Sequence, residues 1–310
     1  MGIIVSKYKE GFLKRYEKEE GIPYYSASDF PGLVCEKGSF INAAGIEIKY
    51  FFYYYDGYDK DRLILFCPGM GPGHSAYFAE INTICKAGFR LLTLDYTGCG
   101  ESGGERMFSV NSPAGDTLEL LALLKPDVRV IPVGHSLGGY TALTVTNMTP
   151  RIDRAVIISG FVDISDEMIG FVKLRPLANI IKRFEKRNRP DLAKADNRKY
   201  LKNTADRILW LHSTDDHMVN YKHNAGYAGG CGNPNVRVVT FENKSHLPHY
   251  TKESLDTMYS WIGQFNRKVA AKELVTLEQK KDYFANKPIA DMTGQDPEVF
   301  KMIFDFIKEE

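Results

Sequence analysis

The sequence has few of the features that mark disulfide-stabilised, metal-binding or membrane-spanning proteins. Its five cysteines lie at positions 35, 67, 85, 99 and 231, so no two form a C-x-x-C pair and their number is odd. This spacing argues against a disulfide framework and against a zinc site, and it predicts reduced thiols in a cytoplasmic protein. No apolar run approaches the roughly 18 residues that a membrane-spanning helix needs, so we expect no stable membrane insertion.

An excess of charge is also missing. The 40 Lys and Arg residues nearly balance the 39 Asp and Glu residues, and the net charge of +1 predicts no bulk attraction to nucleic acid. What the chain does have is apolar content: 44% of its 310 residues are hydrophobic, enough for one large core or two modest ones. We therefore expect a globular protein that acts on a small molecule, either as a monomer or as a homodimer.

Strand and helix patterns alternate along most of the chain. An antiparallel hairpin is predicted near 34–54, and further strands are predicted over 62–67, 89–96, 128–135, 154–160, 208–213 and 236–242. Helical patterns separate them over 75–87, 112–124, 137–147 and 250–265. This alternation predicts an α/β fold with a mostly parallel central sheet flanked by helices, in which a site lies at the carboxyl ends of the strands.

Two segments interrupt the alternation and divide the predicted core into 1–160 and 207–265, with an N-terminal extension over about 1–35. Residues 161–206 are too many for a loop without structure. Their amphipathic pattern and the basic cluster at 182–189 predict a helical cap over the site, with a solvated surface insertion as the alternative. Residues 266–310 form a C-terminal helical extension, whose last helix could pack on the core, the cap or another subunit.

The most informative motif is Gly134-His135-Ser136-Leu137-Gly138, between a predicted strand and a predicted helix. A G-x-S-x-G pattern in this context is typical of a nucleophile elbow, a tight turn that presents a serine hydroxyl. The serine takes a strained backbone conformation, and side chains two residues to either side would collide, so Gly134 and Gly138 are needed. Ser136 is therefore the candidate nucleophile.

A serine nucleophile needs a base, usually a histidine whose tautomer is fixed by a carboxylate. His246 follows the last predicted strand by a short polar turn and is the favoured base, with His249 as the competitor. The loop after the preceding strand offers two adjacent carboxylates, of which the spacing to Val219 favours Asp216 over Asp215. The resulting order along the chain, serine, acid and histidine, is the order expected for this kind of elbow.

Donors for an oxyanion are expected in two places. One is the backbone N–H of Leu137, which follows the nucleophile, and the other is the N–H of Met70 in the glycine-rich turn 68–73. We expect the substrate to contact Gly69 and His74 in this turn, together with Phe161 and Phe171 from the predicted cap. No metal or other cofactor is expected.

Several separately placed motifs together resemble the α/β-hydrolase superfamily. They are the turn 68–77, the run from Asp95 to Gly104 with the letters DYTGCGESGG, and the elbow 134–139. Within the superfamily, the chain is most similar to the monoacylglycerol lipase, lysophospholipase and small bacterial esterase group, the serine aminopeptidase-like hydrolases, over roughly residues 40–265. The resemblance implies an α/β-hydrolase fold with Ser136, Asp216 and His246 as the triad, Met70 and Leu137 as the oxyanion hole, and a cap.

The leading hypothesis is a serine hydrolase that cleaves carboxylic esters through an acyl-enzyme on Ser136. An amidase or peptidase with the same triad is the nearest alternative, and a perhydrolase would use the same residues. A non-catalytic binding protein on a hydrolase fold is the alternative from another class. Such proteins commonly lose a member of the triad, whereas all three candidates are present in this sequence.

Overall fold

The chain builds one eight-stranded sheet, as the alternation predicts. The structure is a computed structural model that describes residues 2–125, 128–164, 167 and 175–309. The strands are β1 (Val34–Ile41), β2 (Glu47–Tyr54), β3 (Asp59–Cys67), β4 (Phe89–Leu94), β5 (Arg129–His135), β6 (Arg154–Ile158), β7 (Arg207–Ser213) and β8 (Val236–Phe241). Their order across the sheet is β1-β2-β4-β3-β5-β6-β7-β8. The first two strands pair antiparallel, β2 also runs antiparallel to β4, and β3 to β8 are parallel.

Among the described residues, one α-helix precedes the strands, and the other α-helices lie between the strands or after them. They are α1 (Gly2–Phe12), α2 (Phe78–Lys86), α3 (Ser112–Leu123), α4 (Leu137–Met148), α5 (Arg175–Asn188), α6 (Asn197–Asn203), α7 (Ala225–Gly229), α8 (Lys252–Ala270), α9 (Leu277–Ala285), α10 (Ile289–Met292) and α11 (Pro297–Lys308). Most predicted elements are present with ends displaced by a few residues. The predicted helix 75–87 is shorter than expected, because the glycine-rich turn continues into a single 3₁₀ turn at Gly73–Ala76 before α2 begins.

Alternating side chains along the strands form two hydrophobic cores, one on each face of the sheet. In β3, Leu63 and Leu65 belong to one core, whereas Ile64 and Phe66 belong to the other. This division follows from the strand geometry, in which successive side chains point to opposite faces. The first core is covered by residues of α1, α3 and α4, and the second by residues of α2, α8 and α11.

The last helix packs on the sheet, which decides among the three places that the sequence left open. The Asp296 side chain caps α11 by accepting hydrogen bonds from the N–H groups of Glu298 at 2.9 Å and Val299 at 3.2 Å. The apolar side of the helix is buried in the second core. At its other end, the buried guanidinium of Arg154 donates to the carbonyl oxygen of Phe306 at 3.1 Å. The last helix of the C-terminal extension is thus part of the core.

The insertion contains a strongly amphipathic helix, α5, that packs along the N-terminal helix. Ala178 and Ile181 are buried in the first core, and the ring of Phe184 meets the ring of Tyr8 edge to face with centroids 6.0 Å apart. The exposed side of α5 carries Arg183, Lys186 and Arg187. These contacts agree with the amphipathic pattern, and the role of the insertion as a cap stays a prediction.

None of the described helices combines the length and the apolar character that a membrane crossing requires.

Candidate active site

Ser136 occupies the tight turn between β5 and α4 in a strained backbone conformation, with φ of 57° and ψ of −122°. A non-glycine residue at positive φ is uncommon and marks a constrained site. The two flanking glycines are needed because the chain passes itself so closely. A Cβ at Gly134 would lie 2.0 Å from the carbonyl oxygen of Gly138, and a Cβ at Gly138 would lie 1.8 Å from that of Cys67. The motif therefore folds as an elbow, with Ser136 partly exposed at its tip.

His246 lies in the loop after β8, and its Nδ1 is 2.8 Å from Oδ2 of Asp216 in the loop after β7. The Asp216 side chain is fully buried, and that of His246 is 11% exposed. A carboxylate oxygen accepts the Nδ1 proton, which leaves Nε2 of the neutral imidazole free to take another proton. The two candidate residues, from the loops after two neighbouring strands, thus form a hydrogen-bonded His–Asp pair.

The Asp216 carboxylate accepts further hydrogen bonds that keep it ionised. Its Oδ1 accepts the N–H groups of Met218 at 2.8 Å and Val219 at 2.9 Å. On the other oxygen, Nε2 of His212 lies 3.1 Å away. Burial alone would raise the pKa of Asp216, but the hydrogen bonds from His212 and His246 outweigh it and hold the pKa well below its ordinary value.

The two competing residues make other contacts. Asp215 accepts hydrogen bonds from the Ser213 hydroxyl and from the N–H of Ser245 at 3.2 Å, so its carboxylate ties two loops together instead of meeting the imidazole of His246. His249 places Nε2 2.8 Å from Oε1 of Glu80, and both side chains are buried. His249 also precedes α8, which begins at Lys252.

The glycine-rich turn reaches the nucleophile from the other side. A Cβ at Gly69 would lie 3.4 Å from Cβ of Ser136, so the main chain of the turn passes directly beside the serine. The N–H of Gly69 donates to the Tyr77 hydroxyl at 2.9 Å. The next N–H, that of Met70, meets no acceptor within the part of the chain that the structure describes. The Leu137 N–H opens α4, where the first N–H groups lack partners within the helix.

The predicted substrate-contacting residues of the turn and insertion have the following places. His74 lies within the fold, with Nδ1 2.8 Å from Oδ1 of Asp95 and its ring centroid 3.8 Å from that of Phe51. Phe161 stacks on Tyr140 of α4, with centroids 4.6 Å apart and an interplanar angle of 9°. Phe171 lies outside the described residues. Contact of these side chains with a substrate stays a prediction.

Sequence reasoning missed four residues around the candidate site. His212 lies near the end of β7, and its spacing of four residues from Asp216 was the one available signal. His135 was named only as part of the elbow motif, and its Nε2 lies 3.0 Å from the carbonyl oxygen of His246. Tyr77 and Glu80, at the start of α2, had no signal, since their partners lie far away in the sequence. No group of three or more potential metal ligands occurs among the described residues.

The chain is similar to several known hydrolases. The sequence profile of the family described as "Serine aminopeptidase, S33" matches residues 58–208. The putative carbamate hydrolase RutD of Agrobacterium fabrum is 35% identical over 101 residues, which are 32% of this chain and 38% of that protein. The probable esterase PIR7A of Oryza sativa subsp. indica is 24% identical over 136 residues, 43% of this chain and 49% of its own. The chain therefore spans half or less of these two relatives.

Solved structures extend the likeness to most of the chain. The esterase PF2001 of Pyrococcus furiosus superposes with a TM-score of 0.57 at 14% identity, covering 83% of this chain and 98% of that one. The acylaminoacyl peptidase of Pyrococcus horikoshii superposes with a TM-score of 0.53 at 16% identity, covering 71% of this chain and 38% of that one. At such identities the superpositions speak for the fold. Together with the matched profile and the sheet order, they show that the chain has an α/β-hydrolase fold.

Proposed function

We propose that the protein is a serine hydrolase that cleaves carboxylic esters through an acyl-enzyme on Ser136. The observation that carries this proposal is the pairing of a serine in a strained elbow with a buried His246–Asp216 pair in neighbouring loops. The order of these residues along the chain and their positions after β5, β7 and β8 are those of α/β-hydrolase triads.

Each candidate residue has a definite step in the proposed reaction. Nε2 of His246 takes the proton of the Ser136 hydroxyl as its oxygen attacks the ester carbonyl carbon. The N–H groups of Met70 and Leu137 donate to the oxyanion that forms. His246 then gives its proton to the departing alcohol. In the second half it takes a proton from the attacking water and returns it to the Ser136 oxygen as the acid leaves. Asp216 stays ionised throughout and stabilises the imidazolium.

Esters are favoured as the substrate class by the names of two similar proteins, the probable esterase PIR7A and the esterase PF2001. A carbamate is the second candidate, because the 35% identical stretch belongs to a protein named putative carbamate hydrolase. Recognition of a free α-amino group would call for carboxylates at the site. The exposed side of α5 is instead basic, with Arg183, Lys186 and Arg187. This charge disfavours an aminopeptidase.

The reduced state of all five cysteines is consistent with the proposed location in the cytoplasm, where thiols stay reduced.

A substrate screen tests the proposal. Rates should be measured on p-nitrophenyl esters of increasing acyl length, on a p-nitrophenyl carbamate and on amino-acid p-nitroanilides, each with Ser136→Ala as the control. We expect turnover of esters that Ser136→Ala abolishes, with an optimum in chain length. Faster turnover of the carbamate or the anilides would replace the ester assignment, and a lack of turnover on all three would favour a binding protein.

A further inference from the structure

His135, the residue before the nucleophile, connects the two sides of the candidate site. Its Nδ1 lies 3.1 Å from the hydroxyl oxygen of Tyr77, and its Nε2 lies 3.0 Å from the carbonyl oxygen of His246. The same Tyr77 hydroxyl accepts the N–H of Gly69 at 2.9 Å. A continuous path of three hydrogen bonds therefore runs from the glycine-rich turn, past the elbow, to the main chain of the candidate base.

The chemistry of the groups determines the direction of each bond. A carbonyl oxygen accepts only, so Nε2 of His135 must carry the proton that it shares with His246. In the neutral imidazole, Nδ1 is then an acceptor, and the Tyr77 hydroxyl must donate to it. The lone pairs of that hydroxyl are left to accept the Gly69 N–H. Each hydrogen in the path thus has one possible place.

The burial of Tyr77 and His135 keeps this hydrogen-bond pattern in one protonation state. Tyr77 is 9% exposed and His135 is 4% exposed. Burial, together with the neighbouring His246 and His249, holds the pKa of His135 well below its ordinary value, so its imidazole stays neutral. Burial likewise raises the pKa of Tyr77, which keeps its hydroxyl protonated. Buried, fully satisfied hydrogen-bond networks of this kind impose one local geometry.

The start of α2, next to Tyr77, makes a second contact with the loop that carries His246 and His249. Glu80, three residues after Tyr77, accepts from Nε2 of His249 at 2.8 Å and from the Tyr250 hydroxyl at 3.3 Å. The imidazole centroids of His135 and His249 are 5.2 Å apart, so the two contacts are neighbours. The start of α2 therefore contacts the glycine-rich turn, the elbow and the loop that carries His246 and His249.

We infer that Tyr77 and His135 are positioning residues that align the Met70 N–H and the His246 imidazole with Ser136. The inference rests on the proposed serine hydrolase mechanism. Tyr77 fixes the Gly69 N–H, and with it the Pro68–Gly69 peptide, one peptide unit before the unit that carries the Met70 N–H. His135 fixes the main chain of His246 from the elbow itself, so the nucleophile and its base share one anchor.

The expected loss of kcat in Tyr77→Phe follows from the misalignment of one oxyanion donor, the Met70 N–H. Complete loss of one oxyanion donor costs about 10²–10³-fold in kcat in a well-studied hydrolase. Tyr77→Phe leaves the Met70 N–H present but poorly aimed, so we expect about a 10-fold loss in kcat. Since the oxyanion exists only after attack, KM should change little.

Graded variants separate positioning from simple stability. In His135→Gln, the amide N–H can still donate to the His246 carbonyl oxygen, but no acceptor faces Tyr77. His135→Leu removes both bonds. We expect kcat to fall in the order wild type, His135→Gln, His135→Leu at a temperature where all are folded. The double variant Tyr77→Phe/His135→Gln should be no slower than Tyr77→Phe alone, because the same bond is lost in both.

The matched control is Tyr200→Phe on α6, outside this network. It removes one hydroxyl, which donates to Asp206 at 2.7 Å. It should lower the thermal midpoint without changing kcat. If Tyr77→Phe and His135→Gln keep kcat within twofold of wild type, or if they lose no more than Tyr200→Phe, the inference is wrong. Should His135→Leu fail to fold, Tyr77→Phe still decides the matter, as it removes a single oxygen.

The test also separates this inference from the proposed function. Undiminished turnover in Ser136→Ala would refute the serine mechanism, whatever the other variants do. Loss of turnover in Ser136→Ala together with normal kcat in Tyr77→Phe and both His135 variants would refute the positioning role alone.

Discussion

The Nε2 atom of His212 lies 3.1 Å from Oδ2 of Asp216. The buried carboxylate is therefore contacted by His212 at the end of β7 as well as by His246 in the loop after β8. Nε2 of His212 is also 3.0 Å from the carbonyl oxygen of Val219, which closes the loop around Asp216. Its other ring nitrogen faces the indole N–H of Trp210 at 3.4 Å. His212 therefore acts as a donor to Asp216, and this role leads to a pH-dependent prediction.

Replacing His212 by Leu should lower the stability of the protein at neutral pH and make that stability less dependent on pH in the acid range. The depressed pKa of Asp216 contributes stability that is present above the ordinary pKa of an unfolded aspartate and is lost as the pH falls through the folded pKa. Without the His212 donor the folded pKa rises. The midpoint of thermal unfolding, measured from pH 7 down to pH 3, should then be lower than that of the wild type at pH 7, and this deficit should shrink as the pH falls. An unchanged profile would mean that His212 does not contribute to the charge state of Asp216.

Glu185 should give a pH dependence of the opposite sign. This buried carboxylate of α5 accepts from the Tyr8 hydroxyl at 2.8 Å and from the hydroxyl of Ser109. Burial raises its pKa despite these hydrogen bonds. A raised carboxyl pKa means that the folded state binds the proton more tightly, so its contribution to stability falls as the pH rises from the ordinary towards the folded pKa.

The matched variant for this effect is Glu185→Gln, which keeps the shape of the side chain and is neutral at every pH. On lowering the pH from 7 to 5, the wild-type thermal midpoint should gain relative to that of Glu185→Gln. A gain of the variant over the wild type in the same range would contradict the prediction.

Ser136→Ala should abolish covalent labelling by a fluorophosphonate probe and lower kcat by several orders of magnitude, because the attacking oxygen is removed. Labelling is read by intact-mass spectrometry, with the wild type as the positive control. Labelling that persists in the variant would show that another residue is the nucleophile.

Asp216→Asn should cost on the order of 10⁴-fold in kcat, since an amide leaves the imidazole in the wrong tautomer. Asp215→Asn is the control, because this carboxylate accepts from Ser213 and Ser245 and makes no bond to the imidazole of His246. Its effect on kcat should be far smaller, with a modest loss of thermal stability. The reverse ranking would assign the acid to Asp215.

The insertion should influence selectivity more than chemistry. Charge reversal at Arg183 or Arg187, both exposed on α5, should slow the turnover of anionic esters alone, and less so at high salt, because salt screens exposed charges. Ile181→Ala is expected to alter acyl-length preference. Since Ile181 is buried in the first core, this variant should also lose about 2–5 kcal/mol of stability. Equal effects on neutral and anionic esters would leave the cap role without support.

The elements that local patterns encode were predictable from the sequence. The elbow could be predicted because all its parts are adjacent in the chain: the strand before Ser136, the glycines that the turn requires and the helix that follows. The parallel sheet followed in the same way from the alternation of strands and helices. The order of Ser136, Asp216 and His246 then followed from the positions of polar residues directly after strands.

Tertiary structure alone decided what depends on residues far apart in the chain. Asp215 and Asp216 are neighbours in sequence, and the approach of His246 from another loop distinguishes their contacts. The apolar side of α11 needed a partner, and the uncovered face of the sheet, with Arg154 at the helix end, supplied it. The contacts of His135 with Tyr77 and His246 join segments separated by 58 and 111 positions. Local pattern records which face of an element is apolar, but the partner of that face is a property of the folded chain.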